Sequence, residues 1–162
     1  MIRVLFVCLG NICRSPMAEA VFRHMVAESG LADQIEVDSA GLGGWHTGDR
    51  PHRGTLGLLK ANAIPHDYLR ARQINTGDFT AFTYIVCMDN ENLDGLKRLA
   101  PQAGNISMLL DYAREQEERE VEDPYYTGRF EHVYQLVELG CKGLLEKICR
   151  DHGIIRKKEQ QM

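Results

Sequence analysis

The segment Val4–Ala18, which reads VLFVCLGNICRSPMA, constrains the fold of this chain more than any other stretch. It begins with a short apolar run rich in β-branched and aromatic residues, which predicts a buried strand. Gly10 and Asn11 then break this pattern, and apolar residues afterwards recur at helical spacing. We expect that helix to run over Pro16–Ser29, with Ser15 as a candidate N-cap. The segment is therefore predicted to form a strand, a tight loop and a helix.

A loop between a strand and a helix N-terminus is well suited to binding an anion. Its backbone N–H groups point to a common centre, where the helix dipole adds partial positive charge. Cys8 opens the loop and Arg14 closes it, in the pattern Cys-x5-Arg. The arginine can contact two phosphate oxygens at once, and the loop amides would stabilise a thiolate. Gly10 allows close backbone approach and Asn11 tolerates a left-handed conformation, so we expect a phosphate held above a nucleophilic sulfur.

A second functional candidate, Asp123, lies far along the chain in the sequence DPYY. It follows a polar, acid-rich segment, 110–122, that we expect to be a solvated loop or a short helix. On a loop above the anion site, its carboxyl group can protonate the leaving oxygen of a phosphoester and later take a proton from the attacking water. Taken alone, an Asp-Pro pair is more typical of a turn. Together with the cysteine–arginine loop, it favours the acid role.

Strand-like and helix-like segments alternate along the rest of the chain. The further predicted strands are Ile35–Ser39, Thr83–Met88 and Ile106–Leu109, and the further predicted helices are His52–Asn62, Asn90–Leu99 and Phe130–Cys149. This alternation is typical of an α/β fold, and a chain of 162 residues is an ordinary length for one domain. We therefore expect a single-domain four-stranded parallel sheet with helices on both faces.

Composition and charge argue against several classes of function. The net charge of −4 gives no reason to expect a nucleic-acid partner. No signal-peptide pattern is present and no apolar run approaches ~20 residues, so no membrane insertion is expected. The five cysteines lack disulfide-framework spacing, which favours a reducing, cytoplasmic location. Neither the cysteines nor the six histidines have metal-ligand spacing, so we expect no metal and no cofactor.

The sequence CLGNICRSPMAE, together with the distant DPYY, closely resembles the low-molecular-weight protein tyrosine phosphatases. A bare Cys-x5-Arg would be weak evidence, but the full loop in its strand–helix setting is specific. The similarity runs from Ile2 to about Gly153, which implies one phosphatase domain, residues 1–153, and a polar C-terminal tail, residues 154–162. The resemblance also implies a phosphatase-I-like sheet of strand order 2-1-3-4, with the site at the carboxyl ends of the strands.

The activity implied by the resemblance is metal-independent hydrolysis of phosphotyrosine monoesters, in a phosphotyrosine-containing protein or an aryl phosphate. Cys8 would be the nucleophile that forms a cysteinyl-phosphate, Arg14 the phosphate ligand and Asp123 the general acid and base. Ser15 would hydrogen-bond Cys8 and stabilise its thiolate as a leaving group, a role that competes with N-capping. Because the family places its acid in the DPYY segment, we expect Asp89 to cap the following helix or to hold a loop.

The resemblance assigns further residues around the loop. The phosphate-binding loop would include Leu9, Gly10, Asn11, Ile12, Cys13 and Ser15. Leu9 and Ile12 would add apolar surface at the mouth of a substrate cleft. Ser39 matches a residue that hydrogen-bonds the loop asparagine, here Asn11. Trp45 and Tyr125 match two aromatic walls of the cleft, with Tyr126 beside them, although a packing role under a loop is the alternative for Trp45.

Three expectations concern regulation and departures from the family. In relatives a pair like Cys8 and Cys13 can form a reversible disulfide under peroxide, which protects the nucleophile from over-oxidation; packing behind the loop is the alternative for Cys13. Tyr125 and Tyr126 match targets of a tyrosine kinase, which would be a partner. Relatives often carry histidine at the position of Leu69, where it supports the asparagine–serine network, so that support is expected to be rearranged here.

Three other functions fit part of this pattern. A thiol-dependent arsenate reductase shares the anion loop but needs further cysteines to relay a disulfide, and only Cys87 lies near the middle of the chain. A phosphoarginine phosphatase of the same fold tends to carry threonine in place of Ile12 and lacks the aromatic pair. A non-enzymatic phosphate-binding module would keep the loop and lose catalysis, whereas Cys8, Arg14 and Asp123 are all present here.

Overall fold

A four-stranded sheet lies at the centre of the computed structural model, which describes residues 1–156. Its strands are β1 (Ile2–Cys8), β2 (Ile35–Gly41), β3 (Tyr84–Cys87) and β4 (Ile106–Met108). All three pairings are parallel, and the strand order is β2-β1-β3-β4. The predicted α/β fold class and the strand order implied by the resemblance are both confirmed.

Helices cover both faces of this sheet. They are α1 (Arg14–Glu28), α2 (Arg53–Ala61), α3 (Asp78–Ala81), α4 (Asn90–Leu99), α5 (Pro124–Thr127) and α6 (Phe130–His152), with a short 3-10 helix over Leu109–Tyr112. Along β1, Val4 and Phe6 join the core that α1, α2 and α6 cover. Leu5 and Val7 join the second core, under α3 and α4. The apolar run of β1 is thus buried on both faces, as parallel sheets require.

The register of the strands brings three chain segments to one edge of the sheet. Cys8 pairs with Gly41 at the end of β2, and Val7 pairs with Cys87 at the end of β3. Because parallel strands all end at the same edge, the loops that follow β1, β2 and β3 meet there. This edge contains the loop from Cys8 to Arg14 and the acidic residue Asp89.

One local expectation differs from the structure, and a second agrees with it. The prediction of Ser15 as an N-cap is wrong, since α1 begins at Arg14 with Cys13 at the N-cap position and without a side-chain cap. Pro16 is therefore the third helical residue, where a missing N–H is tolerated because first-turn N–H groups have no helical partner. The polar segment 110–122 contains the end of the 3-10 helix and is otherwise irregular up to Asp123.

In the portion the structure describes, no helix combines the length and apolarity needed to cross a bilayer. Helix α6 ends at His152, and Gly153 adopts a left-handed conformation just after it, as is common at helix C-termini. Of the predicted polar tail, residues 157–162 lie outside the described part of the chain.

Candidate active site

The loop from Cys8 to Arg14 is held in shape by the side chain of Asn11, which is 1% exposed. Asn11 has a φ of 58°, in the left-handed region that asparagine tolerates. Its Oδ1 accepts a hydrogen bond from the backbone N–H of Arg72 at 2.9 Å. Its Nδ2 donates to Oγ of Ser15 at 2.7 Å and to Oγ of Ser39 at 3.0 Å. The asparagine thus joins the loop to α1, to β2 and to the segment around Arg72.

The hydroxyl of Ser15 faces the candidate nucleophile instead of capping the helix. Its Oγ lies 3.0 Å from Sγ of Cys8. Because this oxygen already accepts the Asn11 amide, its own hydrogen is available to the sulfur. The carbonyl of Ala40 is a longer alternative acceptor at 3.5 Å. A hydroxyl donor on the sulfur stabilises the thiolate form of Cys8.

Arg14 is 2% exposed, and its guanidinium faces two carboxylates and a backbone carbonyl. Its Nη1 donates to Oδ2 of Asp89 at 2.6 Å and to the carbonyl of Val121 at 2.9 Å, and Nη2 lies 3.5 Å from Oδ2 of Asp123. Burial alone would lower the pKa of this arginine, but the negative charges of Cys8, Asp89 and Asp123 outweigh it and raise the pKa above its usual value. The buried Nε has no hydrogen-bond partner within the described structure, so it is a donor available to an oxyanion at the loop.

Asp89 both caps a helix and holds the arginine. Its Oδ1 accepts from the backbone N–H of Asn92 at 2.8 Å, which caps α4 as expected. Its Oδ2 is the partner of Arg14, and sequence reasoning missed this ion pair. The available signal was the position of Asp89 just after β3, since β3 is the direct neighbour of the strand that carries Cys8. A charged residue at that strand end must lie near the loop.

Asp123 occupies the N-cap position of the short helix α5. Its Oδ1 accepts a hydrogen bond from the backbone N–H of Tyr125 at 3.0 Å. Its Oδ2 is oriented towards Arg14 and borders the same cavity as Cys8. The carboxyl group is therefore both fixed in direction and open to a group bound above the sulfur, which is the position required of a proton donor.

A cavity of about 350 Å³ joins these residues. It is lined by Cys8, Leu9, Gly10, Ile12, Cys13, Arg14, Trp45, His46, Asp123, Tyr125 and Tyr126. The structure therefore gathers the three candidate catalytic residues, most of the predicted loop and all three predicted cleft aromatics around one opening. Asn11, Ser15 and Ser39 lie behind the loop and support it.

The rim of this cavity is aromatic and exposed. Trp45 is 71% exposed and Tyr125 is 58% exposed, so both rings are accessible to a ligand. The Trp45 ring also packs against Gly43 of its own loop. His46 also lines the cavity, and sequence reasoning did not identify it. Its ring Nδ1 lies 3.3 Å from a carboxylate oxygen of Asp49, and the ring packs next to Gly10. Its place next to Trp45 was the only signal.

Cys13 borders the same cavity as Cys8. Burial, followed by the charges of Cys8 and Asp123, raises the pKa of Cys13 to about 12, against an opposing effect of Arg14. Cys13 is therefore a neutral thiol near pH 7. The other cysteines, Cys87, Cys141 and Cys149, are buried away from the cavity.

The support of Asn11 does not involve Leu69, which is buried in the apolar core at 1% exposure. The backbone N–H of Arg72 and the hydroxyl of Ser39 take that role. Ser39 in turn donates to Oε1 of Glu19 at 2.6 Å. The network behind the loop thus ends at a buried glutamate, which sequence reasoning did not identify.

One cluster has ligand types that could hold a metal ion. Glu118, Glu122 and His132 bring three ligand atoms within 4.8 Å of one another beside the segment that carries Asp123. Nε2 of His132 lies 3.0 Å from Glu118, and Glu122 pairs with Arg129 at 3.1 Å. These contacts already account for the cluster as a group of polar contacts among its own side chains and Arg129.

Comparison with known proteins places this site in context. The family model described as "Low molecular weight phosphotyrosine protein phosphatase" matches residues 3–154. The low molecular weight protein-tyrosine-phosphatase YfkJ of Bacillus subtilis is 50% identical over 153 residues, which cover 93% of this chain and 98% of that protein. The low molecular weight protein-tyrosine-phosphatase PtpA of Staphylococcus epidermidis is 43% identical, with 95% of this chain and 98% of PtpA covered.

Solved structures give the same picture. The crystal structure of YfkJ superposes with a TM-score of 0.92 at 49% identity, covering 94% of this chain and 97% of that one. A structure described as a Drosophila arginine phosphatase superposes with a TM-score of 0.81 at 37% identity, covering 90% of this chain and 96% of that one. The fold is therefore shared with proteins named for two different phosphorylated residues.

Proposed function

Since the chain belongs to the low molecular weight phosphotyrosine protein phosphatase family, we propose that it hydrolyses phosphotyrosine monoesters through a cysteinyl-phosphate on Cys8. The observation that carries this proposal is a single cavity bordered by the Cys8 sulfur, the Arg14 guanidinium and the Asp123 carboxyl group. These groups supply a nucleophile, a phosphate ligand and a proton donor. The substrate class is a phosphotyrosine-containing protein or an aryl phosphate.

In the first step the Cys8 thiolate attacks phosphorus and forms the S–P bond. The loop amides and the free Nε of Arg14 bind the phosphate oxygens, whose charge increases in the transition state. Asp123 donates its proton to the tyrosine oxygen as the P–O bond breaks, so the leaving group departs as neutral tyrosine. The contact of Arg14 with Asp89 supports this role because it fixes the guanidinium before substrate arrives.

In the second step a water molecule attacks the phosphorus of the cysteinyl-phosphate. Asp123, now a carboxylate, accepts a proton from that water, and inorganic phosphate is released as the S–P bond breaks. The electron pair returns to the sulfur, so Cys8 leaves as a thiolate. The hydroxyl of Ser15, 3.0 Å from the sulfur, supports this departure by donating a hydrogen bond to it.

The aromatic rim favours a phenyl ring as the leaving group. Trp45 and Tyr125 are exposed on the cavity, and Ile12 borders it as an apolar side chain. A phenyl ring between two aromatic side chains gains about 0.5–1.5 kcal/mol beyond area burial. This rim supports phosphotyrosine over the smaller esters of serine and threonine.

Phosphoarginine is a second candidate substrate, because a Drosophila arginine phosphatase has the same fold at 37% identity. A guanidinium leaving group is polar, and the apolar Ile12 and the aromatic rim offer it few acceptors. Arsenate reduction is less well supported, because a disulfide relay needs accessible cysteines and Cys87 is buried.

The test is the hydrolysis of a phosphotyrosine peptide in EDTA by the wild-type chain and by Cys8→Ser, with phosphoserine and phosphoarginine substrates in parallel. Release from phosphotyrosine that persists in chelator and is lost with Cys8→Ser is the expected result. Preferential release from phosphoarginine would replace the proposed substrate. Substantial residual activity of Cys8→Ser on phosphotyrosine would overturn the assignment of the nucleophile.

The regulatory expectations are part of the same proposal. Cys13 lines the cavity next to Cys8, which supports a reversible disulfide: peroxide oxidises the Cys8 thiolate to a sulfenic acid, and the Cys13 thiol then displaces water from it. Tyr126 is 77% exposed and Tyr125 is 58% exposed, which supports access by a tyrosine kinase. The five cysteines lack disulfide-framework spacing, which supports a cytoplasmic location.

A further inference from the structure

A buried carboxylate that the proposed chemistry does not use lies directly behind the phosphate loop. Glu19 is 6% exposed and sits on α1, one turn after Ser15. Each of its two oxygens has a partner: Oε1 accepts from Oγ of Ser39 at 2.6 Å, and Oε2 accepts from Nη2 of Arg23 at 2.9 Å. Buried carboxylates are costly and are retained only where such partners compensate them.

A chain of hydrogen bonds links Glu19 to the Cys8 sulfur, and the donor and acceptor in each bond are fixed by their neighbours. The Asn11 Oδ1 is occupied by the backbone N–H of Arg72, so its Nδ2 must face the two serines and donate one hydrogen to each. Both serine oxygens are therefore acceptors of Asn11. Each serine must then direct its own hydrogen elsewhere, Ser39 to Glu19 and Ser15 to the Cys8 sulfur.

The acceptor on Glu19 completes this order. Without the Glu19 oxygen, the Ser39 hydroxyl would rotate about its C–O bond. Its hydrogen could then point towards the Asn11 amide and displace it. A displaced amide would release Ser15, whose hydroxyl has a second acceptor in the Ala40 carbonyl at 3.5 Å. The hydrogen bond to the sulfur would then be lost for part of the time, although the loop backbone would remain in place.

We propose that Glu19 is a positioning residue for the phosphatase reaction, and that it fixes the Ser15 hydroxyl as a donor to Cys8 by accepting the hydrogen of Ser39. This inference rests on the proposed function of the site. It assigns to Glu19 and Ser39 together the support expected at Leu69, whose side chain has no polar atom to contribute.

An acceptor oxygen on Glu19 suffices for this role, because the contact that carries it is the hydrogen bond from Ser39 to Oε1. Burial raises the pKa of Glu19 to about 7, with Asp38 adding to the effect and with Ser39 and Arg23 opposing it. Tyr68, whose ring lies 4.3 Å from the Arg23 guanidinium, is the other titratable neighbour. A proton on Oε2 would displace Arg23 and still leave Oε1 free to accept from Ser39. Glutamine at this position can also supply that oxygen.

The experiment compares three full-length variants with wild type. Glu19→Met removes the acceptor at similar volume, Glu19→Gln keeps an acceptor oxygen, and Arg23→Met removes only the outer partner. We measure kcat and KM with an aryl phosphate, and the rate of iodoacetamide alkylation at Cys8 between about pH 5 and 8. For Glu19→Met we expect kcat to fall about tenfold, as for the loss of one hydrogen bond to a charged group, with KM within about twofold of wild type.

The alkylation profile of Glu19→Met should also differ from that of wild type, with slower alkylation of Cys8, because Ser15 no longer holds a steady hydrogen bond to the sulfur. Glu19→Gln and Arg23→Met should match wild type within about twofold in both readouts. A purely structural role for Glu19 would lower the unfolding midpoint and leave the alkylation profile unchanged. That result would overturn the proposal, and so would equal losses in Glu19→Met and Glu19→Gln.

A double variant tests the route through Ser39. In a Ser39→Ala background, Glu19→Met should add little further loss, because the link is already broken; additive losses would contradict the route. Ser39→Ala alone serves if Glu19→Met does not fold, and it should shift the alkylation profile in the same direction. If wild type hydrolysed none of the phosphate substrates, the proposed function would fail, whereas the alkylation profiles would still test the link from Glu19 to Cys8.

Discussion

Nη1 of Arg14 donates to Oδ2 of Asp89 across 2.6 Å, in a position where the arginine side chain is almost fully buried. The same nitrogen donates to the carbonyl of Val121, so one end of the guanidinium is bound by the fold itself. Its Nε has no partner in the described structure and remains available at the loop. Asp89 thus orients the residue that would bind phosphate, and it does so from just after β3, the strand next to the one that carries Cys8.

The first prediction is that Asp89→Asn lowers both kcat/KM and the free energy of unfolding. Asparagine still caps α4, but it leaves the buried charge of Arg14 without its nearest partner. We expect kcat/KM to fall by about tenfold and the free energy of unfolding by about 3 kcal/mol, the lower end for breaking a buried pair. Steady-state kinetics and urea denaturation measure these. Asp94→Asn, on the exposed side of the same helix, is the matched control, and an equal effect there would refute the orienting role.

The second prediction separates acid catalysis from structural support at Asp123. Asp123→Asn keeps the oxygen that accepts from the Tyr125 backbone, so α5 should remain capped. It removes the proton needed by a poor leaving group, so kcat for phenyl phosphate should fall about 10²–10⁴-fold. The loss for p-nitrophenyl phosphate, whose leaving group needs little protonation, should be much smaller. Equal losses for both substrates would indicate a structural role instead.

Resemblance and local pattern together predicted much of the site, and they failed where distant residues meet. The strand, loop and helix of the Cys8 segment could be anticipated because each signal is local. The N-cap assignment of Ser15 was wrong because a cap preference considers only the adjacent backbone, whereas Cys8 and Asn11 compete for that hydroxyl in the fold. The contacts of Asp89 and Glu19 join residues 75 and 20 positions apart, and no short window of sequence contains them.

The third prediction concerns recovery from oxidation. Because the pKa of Cys13 is raised to about 12, peroxide should attack the Cys8 thiolate first, and Cys13 should act afterwards as the resolving thiol. After brief peroxide treatment followed by a thiol reductant, wild type should regain most of its activity and Cys13→Ser clearly less. Mass spectrometry should find the Cys8–Cys13 disulfide in oxidised wild type. Cys149→Ser is the control, and equal recovery of all three proteins would remove the resolving role.

The fourth prediction is a pH dependence of stability that originates at Glu19. Its pKa is raised by burial to about 7 in the folded chain, against 4.5 for the free side chain. Between these values the folded state binds more protons than the unfolded state, so stability falls as pH rises from about 4.5 to 7 and is then constant. At 1.36 kcal/mol per pKa unit, the difference reaches up to about 3 kcal/mol.

Glu19→Gln cannot titrate, so the comparison with wild type isolates this effect. The free energy of unfolding of wild type, relative to Glu19→Gln, should be higher at about pH 5 than at about pH 7.5. Urea denaturation at several pH values measures the difference. Glu91→Gln, which removes an exposed carboxylate from α4, is the matched control for the loss of a negative charge. Parallel curves for wild type and Glu19→Gln would contradict this prediction, because a difference between the folded and unfolded pKa of Glu19 makes the gap between the two curves change with pH.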